Sequence, residues 1–118
     1  MMFIPMCFES KGLGNIIKDS KMHYEWDFCF RSEKEIETHK VILIHSKLKN
    51  KISLIHNGNR MYQDILKDKF SFQWIIDEFY NKAMIYQENK IWKLQVNNIE
   101  FNEGYSNLQE ELIQPVDN

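Results

Sequence analysis

The feature that most constrains this chain is the alternation of aromatic rings with polar residues. Tyr24, Trp26, Phe28 and Phe30 are separated by Glu25, Asp27 and Cys29. Phe70, Phe72, Trp74 and Ile76 repeat the pattern around Ser71 and Gln73. A period of two places alternate residues on one face of an extended strand, so both segments are predicted strands with one ring-bearing face. Such a face must be covered, and the simplest cover is a second sheet. The stripe Trp26, Phe28, Phe30, Phe70, Phe72 and Trp74 is therefore the expected core between two sheets.

Turn chemistry divides the rest of the chain into short strands. Residues 31–38 are a charged connector. The run HKVILIH, residues 39–45, is rich in β-branched residues and reads as a strand buried on both faces. Residues 46–50, SKLKN, form a hairpin loop, and residues 51–57 form the return strand. Asn57-Gly58 is a strong hairpin signal, because a type I′ turn needs positive φ at both central residues. Residues 60–62 start the next strand, and residues 63–69 are polar enough for a loop or one short helical turn. After a connector at 77–81, residues 83–87 and 91–96 are strands, the latter with Trp92, Leu94 and Val96 on one face. Asn97-Asn98 repeats the turn chemistry, since Asn tolerates positive φ, and residues 99–101 close the hairpin. The pieces ISLIHNGNRMY and KLQVNNIEF are thus similar in design: an apolar strand, an Asn-X turn, a short strand. The expected fold is all-β, an antiparallel β-sandwich or partly closed barrel of about seven to eight strands.

The flanks read as arms. Pro5, Gly12 and Gly14 break any pattern in residues 1–22, yet Met1, Met2, Phe3, Ile4, Met6 and Phe8 are apolar and need cover. Beyond Gly104, the residues Leu108, Leu112 and Ile113 fall at helical spacing and Pro115 stops the run, so one or two helical turns are expected. The domain plan is an arm over 1–22, a β-domain over 23–104 and an arm over 105–118. Phe3, Ile4, Met6, Phe8, Tyr105, Leu108, Leu112 and Ile113 are the candidate partner contacts.

Composition bounds the function. The chain has 118 residues, 15 Lys and Arg, 17 Asp and Glu, and a net charge of −2. That balance supplies no long-range attraction to nucleic acid or anionic lipid, although a local patch remains possible in the fold. No apolar run approaches the ~18 residues of a membrane helix. The apolar start lacks a basic lead-in and is followed by Glu9 and Asp19, unlike a transit segment. Cys7 and Cys29 make no disulfide framework and are expected to be reduced, which points to a cytoplasmic location.

No chemistry-bearing constellation stands out. His39, His45 and His56 lie on neighbouring strands and invite a metal reading, but His39 and His45 sit roughly 20 Å apart along one strand. No cysteine pair or carboxylate completes a set, so strand-end histidines with backbone or solvent partners are expected and no metal or other cofactor. Glu25 and Asp27 share a strand face, where acid–base work would need a cleft; an edge strand's solvated face is expected instead. Glu110 and Glu111 fall in the tail. Neither cysteine has a nucleophile's context. Gly12 and Gly14 lack the preceding strand and the lysine of a phosphate loop. Tyr62, Phe79, Tyr80 and Tyr86 are the better surface anchors. No catalytic residue is expected.

The segments EWDF, THKVILIHSKLKNKISLIHNG, KFSFQWII, NKAMIYQ and IWKLQVNNIEF, within residues 24–103, resemble one repeat unit of the Fas apoptotic inhibitory molecule family. The resemblance implies a compact β-sandwich without enzymatic activity, acting through protein–protein contact, in a family that regulates death-receptor signalling and protein aggregation. That family carries two units in tandem, and this chain has room for one. The expected function is a non-catalytic interaction or structural module within a larger intracellular assembly. Its partners are other proteins, with no nucleic acid, membrane or small-molecule substrate. The Lys-, Ile- and Asn-heavy composition suggests an AT-rich genome and, with it, a ciliary assembly. A small-ligand or lipid-binding β-barrel is one alternative, distinguished by an enclosed cavity lined by the ring stripe; a regulator of apoptosis or proteostasis, as the resemblance implies, is the other.

Overall fold

The computed structural model describes residues 2–14 and 20–101. Within them the chain runs through β1 (Met2–Gly12), β2 (Lys21–Arg31), β3 (Ile36–Ser46), β4 (Lys51–His56), β5 (Asn59–Ile65), β6 (Ser71–Ile75), β7 (Lys82–Glu88), β8 (Ile91–Val96) and β9 (Ile99–Glu100). Each strand pairs antiparallel with its neighbour in sequence, in two open sheets ordered β1-β2-β3-β4-β5 and β6-β7-β8-β9. Only the step from β5 to β6 changes sheet. The fold is the expected all-β sandwich, and the strands of the described residues form no closed barrel.

Alternation dictates what lies between the sheets. Trp26, Phe28 and Phe30 of β2, Val41 and Leu43 of β3, and Ile52 and Leu54 of β4 point inward and are buried. Trp74, Ala83, Ile85, Trp92, Leu94, Val96 and Phe101 face them from the second sheet. Phe70 and Phe72 pack against this cluster from its margin. Register turns the sequence pattern into ladders: Trp26 stands opposite Val41, which stands opposite His56, and Tyr24 opposite Leu43 opposite Leu54. Cys29 is buried, Cys7 is half-buried, and both thiols are free.

Three expectations need correction. The segment expected as an N-terminal arm is largely strand: β1 pairs with β2 from Met2↔Arg31 to Gly12↔Met22, and β2 itself begins at Lys21. Pro5 is tolerated because β1 lies at the sheet margin and the register shifts between Pro5 and Cys7. Residues 63–65, expected in a loop, complete β5; their polarity is that of a marginal strand with little to cover. The run 39–45 is buried on its inner face only, since Lys40 is exposed and Ile42 and Ile44 are half-buried. The expected C-terminal arm and its helical turns, 105–118, lie outside the described residues.

The two Asn-X hairpins are built alike. Asn57 and Gly58 have φ of 47° and 83°, and Asn97 and Asn98 have 52° and 67°. In each, the first Asn reaches past its own hairpin to the third strand. The Lys40 amide donates to Asn57 Oδ1 at 2.8 Å, and the Lys82 amide donates to Asn97 Oδ1 at 2.9 Å. Both asparagine amides return the bond, to the Lys40 and Lys82 carbonyls at 2.9 Å. Asn89 and Lys90, also at positive φ, form a further hairpin turn between β7 and β8 that the residue types alone did not mark. Asn57→Ala and Asn97→Ala each lose the bond from the lysine amide and the second contact of the side-chain Nδ2, to His39 Nδ1 at 3.5 Å and to Asn81 Oδ1 at 2.9 Å, and leave alanine in the left-handed region without a compensating amide. Each is expected to destabilise the fold by about 1–2 kcal/mol in urea unfolding, with Asn57→Gly costing less than Asn57→Ala.

Candidate functional site

The densest polar arrangement in the interior sits at one end of the sandwich. Glu37 and His39 come from β3, His56 ends β4, Trp74 comes from β6, and Asp77 opens the loop before β7. The β3–β4 register puts His56 opposite Val41, two residues from His39 on the same face, so the imidazoles meet. Their rings stack at 5.1 Å and 23°. Phe28 stacks on His39 at 5.3 Å and Phe30 meets it edge-on at 5.6 Å. Both histidines are buried.

Hydrogen bonding fixes the protons. The indole Nε1–H of Trp74 can only donate, and it donates to His56 Nδ1 at 3.3 Å. His56 therefore carries its proton on Nε2, which lies 2.9 Å from His39 Nδ1 and donates to it. His39 Nδ1 is then an acceptor, and its proton sits on Nε2. Asn57 gives the same answer independently: its Oδ1 is taken by the Lys40 amide, so its Nδ2 faces His39 Nδ1 as a donor at 3.5 Å. The chain Trp74→His56→His39 is polarised in one direction and crosses from one sheet to the other.

At its end, Glu37 Oε1 lies 2.9 Å from His39 Nε2, off the N–H axis, so the contact is a close polar approach without hydrogen-bond geometry. Ligand atoms of Glu37, His39 and Asp77 lie within 4.8 Å of one another, a spacing that suits a cation. The protons do not suit it. A metal on His39 Nε2 would move the ring proton to Nδ1, force His56 to accept on Nε2, and leave two protons facing each other between His56 and Trp74. Asp77 is also engaged: its Oδ1 accepts from the Phe79 amide at 2.9 Å and the Asn81 amide at 3.2 Å, and its Oδ2 accepts from Asn81 Nδ2 at 2.7 Å. The arrangement is better suited to locking a loop and two sheets than to holding an ion.

His45 stands apart, as the strand spacing requires, with its ring edge-on to Trp92 at 5.8 Å. His45 Nε2 and Trp92 Nε1 are buried without a hydrogen-bond partner among the described residues. Burial, then the Lys47 charge, holds His45 below the ordinary histidine range. Burial, then His39, does the same to His56, against a smaller opposing pull from Asp77.

Glu25 and Asp27 do not lie on an edge strand, because β1 covers that side of β2. They share Lys40, at 3.7 Å and 3.9 Å. Asp27 is pushed up by burial and by Glu25. Glu25 is pulled down despite its burial, by hydrogen bonds from His23 and Asp27 and by Lys40. The two carboxyls are thus pushed in opposite directions, on the outer face of the first sheet. Between the sheets, Phe8, Trp26, Trp92 and Phe101 line a cleft of about 60 Å³, room for water and far less than a lipid or cofactor needs.

The candidate partner contacts scatter. Phe3 is half-buried and turns inward, with its ring 5.6 Å from Phe28 and 6.4 Å from Phe101. Ile4 is half-buried. Met6 and Phe8 are exposed, although Phe8 also rests on Trp26 at 5.2 Å. Tyr105, Leu108, Leu112 and Ile113 lie outside the described residues. Of the expected anchors, Phe79 and Tyr80 are exposed, Tyr62 packs on Phe70 and Phe72, and Tyr86 donates to Glu100. Glu37, Asp77 and the role of Trp74 were not visible in the spacing, since only the register brings them to His39 and His56.

Comparison with protein-family models, with curated proteins and with solved structures finds no match.

Two outcomes are expected. Trp74→Phe keeps the ring and removes the donor, leaving His56 Nδ1 buried and unpaired; chemical denaturation should show a loss of about 1–3 kcal/mol. His45 and His56 also set a pH dependence. Their folded-state values lie below the unfolded value, so below about pH 6.5 the unfolded chain binds more protons. Stability should be level above that point and fall as the pH drops through it. His45→Gln and His56→Gln should each flatten the slope, read from melting temperature against pH.

Proposed function

We propose that this chain is a non-catalytic protein-interaction module, a subunit of a larger intracellular assembly, that binds by adding a partner's extended segment to its sheet margin. The observation that carries this is that each marginal strand of the two sheets bears exposed apolar side chains. Met2, Met6 and Phe8 are 59%, 52% and 44% exposed on β1, and Met61 and Ile65 are exposed on β5, the opposite margin. Ile75 on β6 and Ile99 on β9 mark the margins of the second sheet. Open sheets present unpaired main-chain donors and acceptors along such strands, and a partner strand satisfies them while covering the side chains.

The polar groups of the interior support the same reading. The Trp74–His56–His39 chain is committed to holding the sheets, and the Glu25–Asp27 pair lies on an open face. An all-β two-sheet sandwich is also what the resemblance to the Fas apoptotic inhibitory molecule unit implies, and a regulatory role of that kind is compatible with strand addition. Location in the cytoplasm, or in a cilium, belongs to this proposal.

Trimming the chain at Met22 would remove β1 from the sheet, so the test uses point changes. The full chain should recover a reproducible set of proteins from native lysate. Met2→Lys with Met6→Lys should lose that set while unfolding within about 0.5 kcal/mol of the parent, because both side chains are exposed. Equal recovery by the two chains would contradict binding at β1.

A further inference from the structure

The net charge of −2 hides a local imbalance on the outer face of the first sheet. There a groove of about 280 Å³ crosses β2, β3, β4 and β5. Lys21, Lys49, Lys51 and Arg60 rim it, and no carboxylate lines it. Register builds it: Lys21, Ser46 and Lys51 stand opposite one another on β2, β3 and β4, and Ile44, Ser53 and Gln63 form the next row on β3, β4 and β5. Lys49 rises from the β3–β4 hairpin. Among the described residues Lys21, Lys49 and Lys51 have no ion-pair partner; the lysine–carboxylate pairs belong to Lys40 and Lys93.

We propose that this groove takes an acidic peptide segment of a partner protein, anchored by an apolar side chain. The proposal rests on the interaction-module reading and adds the chemistry of the partner. Like charges facing one another across a groove repel until an anion enters, and a cationic rim steers acidic partners toward it. The floor asks for more than charge. Ile44 and Ile55 are half-buried at its base and would cover an apolar side chain, and the Ser46 and Ser53 hydroxyls lie beside them to donate to a carboxylate or a main-chain carbonyl. Nucleic acid fits less well, since no aromatic ring lines the groove for a base to stack on. Phosphate recognition favours the free fork of an arginine, and Arg60 Nη1 already donates to Gln63 Oε1 at 2.8 Å.

The test is fluorescence anisotropy of the full chain with a labelled peptide alternating Glu and Leu, against the same peptide with Gln for Glu. The Glu peptide should bind, weaken with added salt, and lose about tenfold or more in affinity with Lys49→Glu and Lys51→Glu together, an unfolding midpoint within a few degrees confirming the fold. The Gln peptide should bind at least about tenfold more weakly. Equal binding of the two peptides, or indifference to Lys49→Glu and Lys51→Glu, overturns the proposal. So does failure of the Glu peptide to bind while inorganic phosphate or phosphatidylserine vesicles bind in a Lys49- and Lys51-dependent way. Because these variants leave β1 untouched, loss of the groove proposal with β1-dependent capture intact would leave the module reading standing, and the reverse result would separate them equally.

Discussion

A one-way chain of hydrogen bonds, Trp74 to His56 to His39, determines how the two sheets of this protein sit on one another. Apolar burial drives the sheets together but has no direction, so it tolerates a range of offsets. The indole N–H of Trp74 has its acceptor in the other sheet, and that acceptor has its own in the next strand. In a buried setting an unmade bond of this kind costs more than it contributes when made, so the Trp74-to-His56 and His56-to-His39 bonds favour one offset over its neighbours. The Asn57 turn feeds the same chain, with one side-chain atom holding β3 and the other facing His39. A hairpin signal, an interior polar cluster and the inter-sheet register are therefore one structural unit.

The polarity of that unit also sets its chemistry. Glu37, His39 and Asp77 gather as a metal site would, yet the hydrogen-bond chain from Trp74 keeps the ring proton on His39 Nε2, the nitrogen beside the carboxylates. These interior polar groups are thereby engaged with one another, and the proposed interaction draws on the surface. A meander of neighbouring strands leaves both sheets open, with apolar side chains on marginal strands and a cationic groove on one outer face. Margins and groove are separate surfaces, so the two proposed contacts are independent of each other.

Much of this was legible from residue type, because period-two alternation and Asn turns report on single strands and hairpins. Trp26, Phe28, Phe30, Trp74, Trp92, Leu94 and Val96 fall where the pattern puts them, buried between the sheets. What was not legible depended on pairing. Residues 2–12 looked broken because Pro5 and Gly12 disfavour an interior strand, while a marginal strand with a register shift accepts both. Residues 63–65 looked like loop because a marginal strand needs no apolar face. His39 and His45 were rightly kept apart by their spacing along β3, but spacing says nothing of His56, which only the β3–β4 register delivers to His39. The groove was hidden for the same reason: its cations come from three strands and a hairpin, and only Lys49 and Lys51 are close to one another in the chain.

The direction of the buried chain is the claim most open to a single measurement. Nitrogen NMR of the imidazoles at slightly alkaline pH distinguishes a protonated ring nitrogen from an acceptor. Both His39 and His56 should be neutral, with the proton on Nε2 and Nδ1 showing the shift of an acceptor. A proton on Nδ1 of either ring would contradict the account, reverse the chain, and leave His39 Nε2 open to a cation beside Glu37 and Asp77.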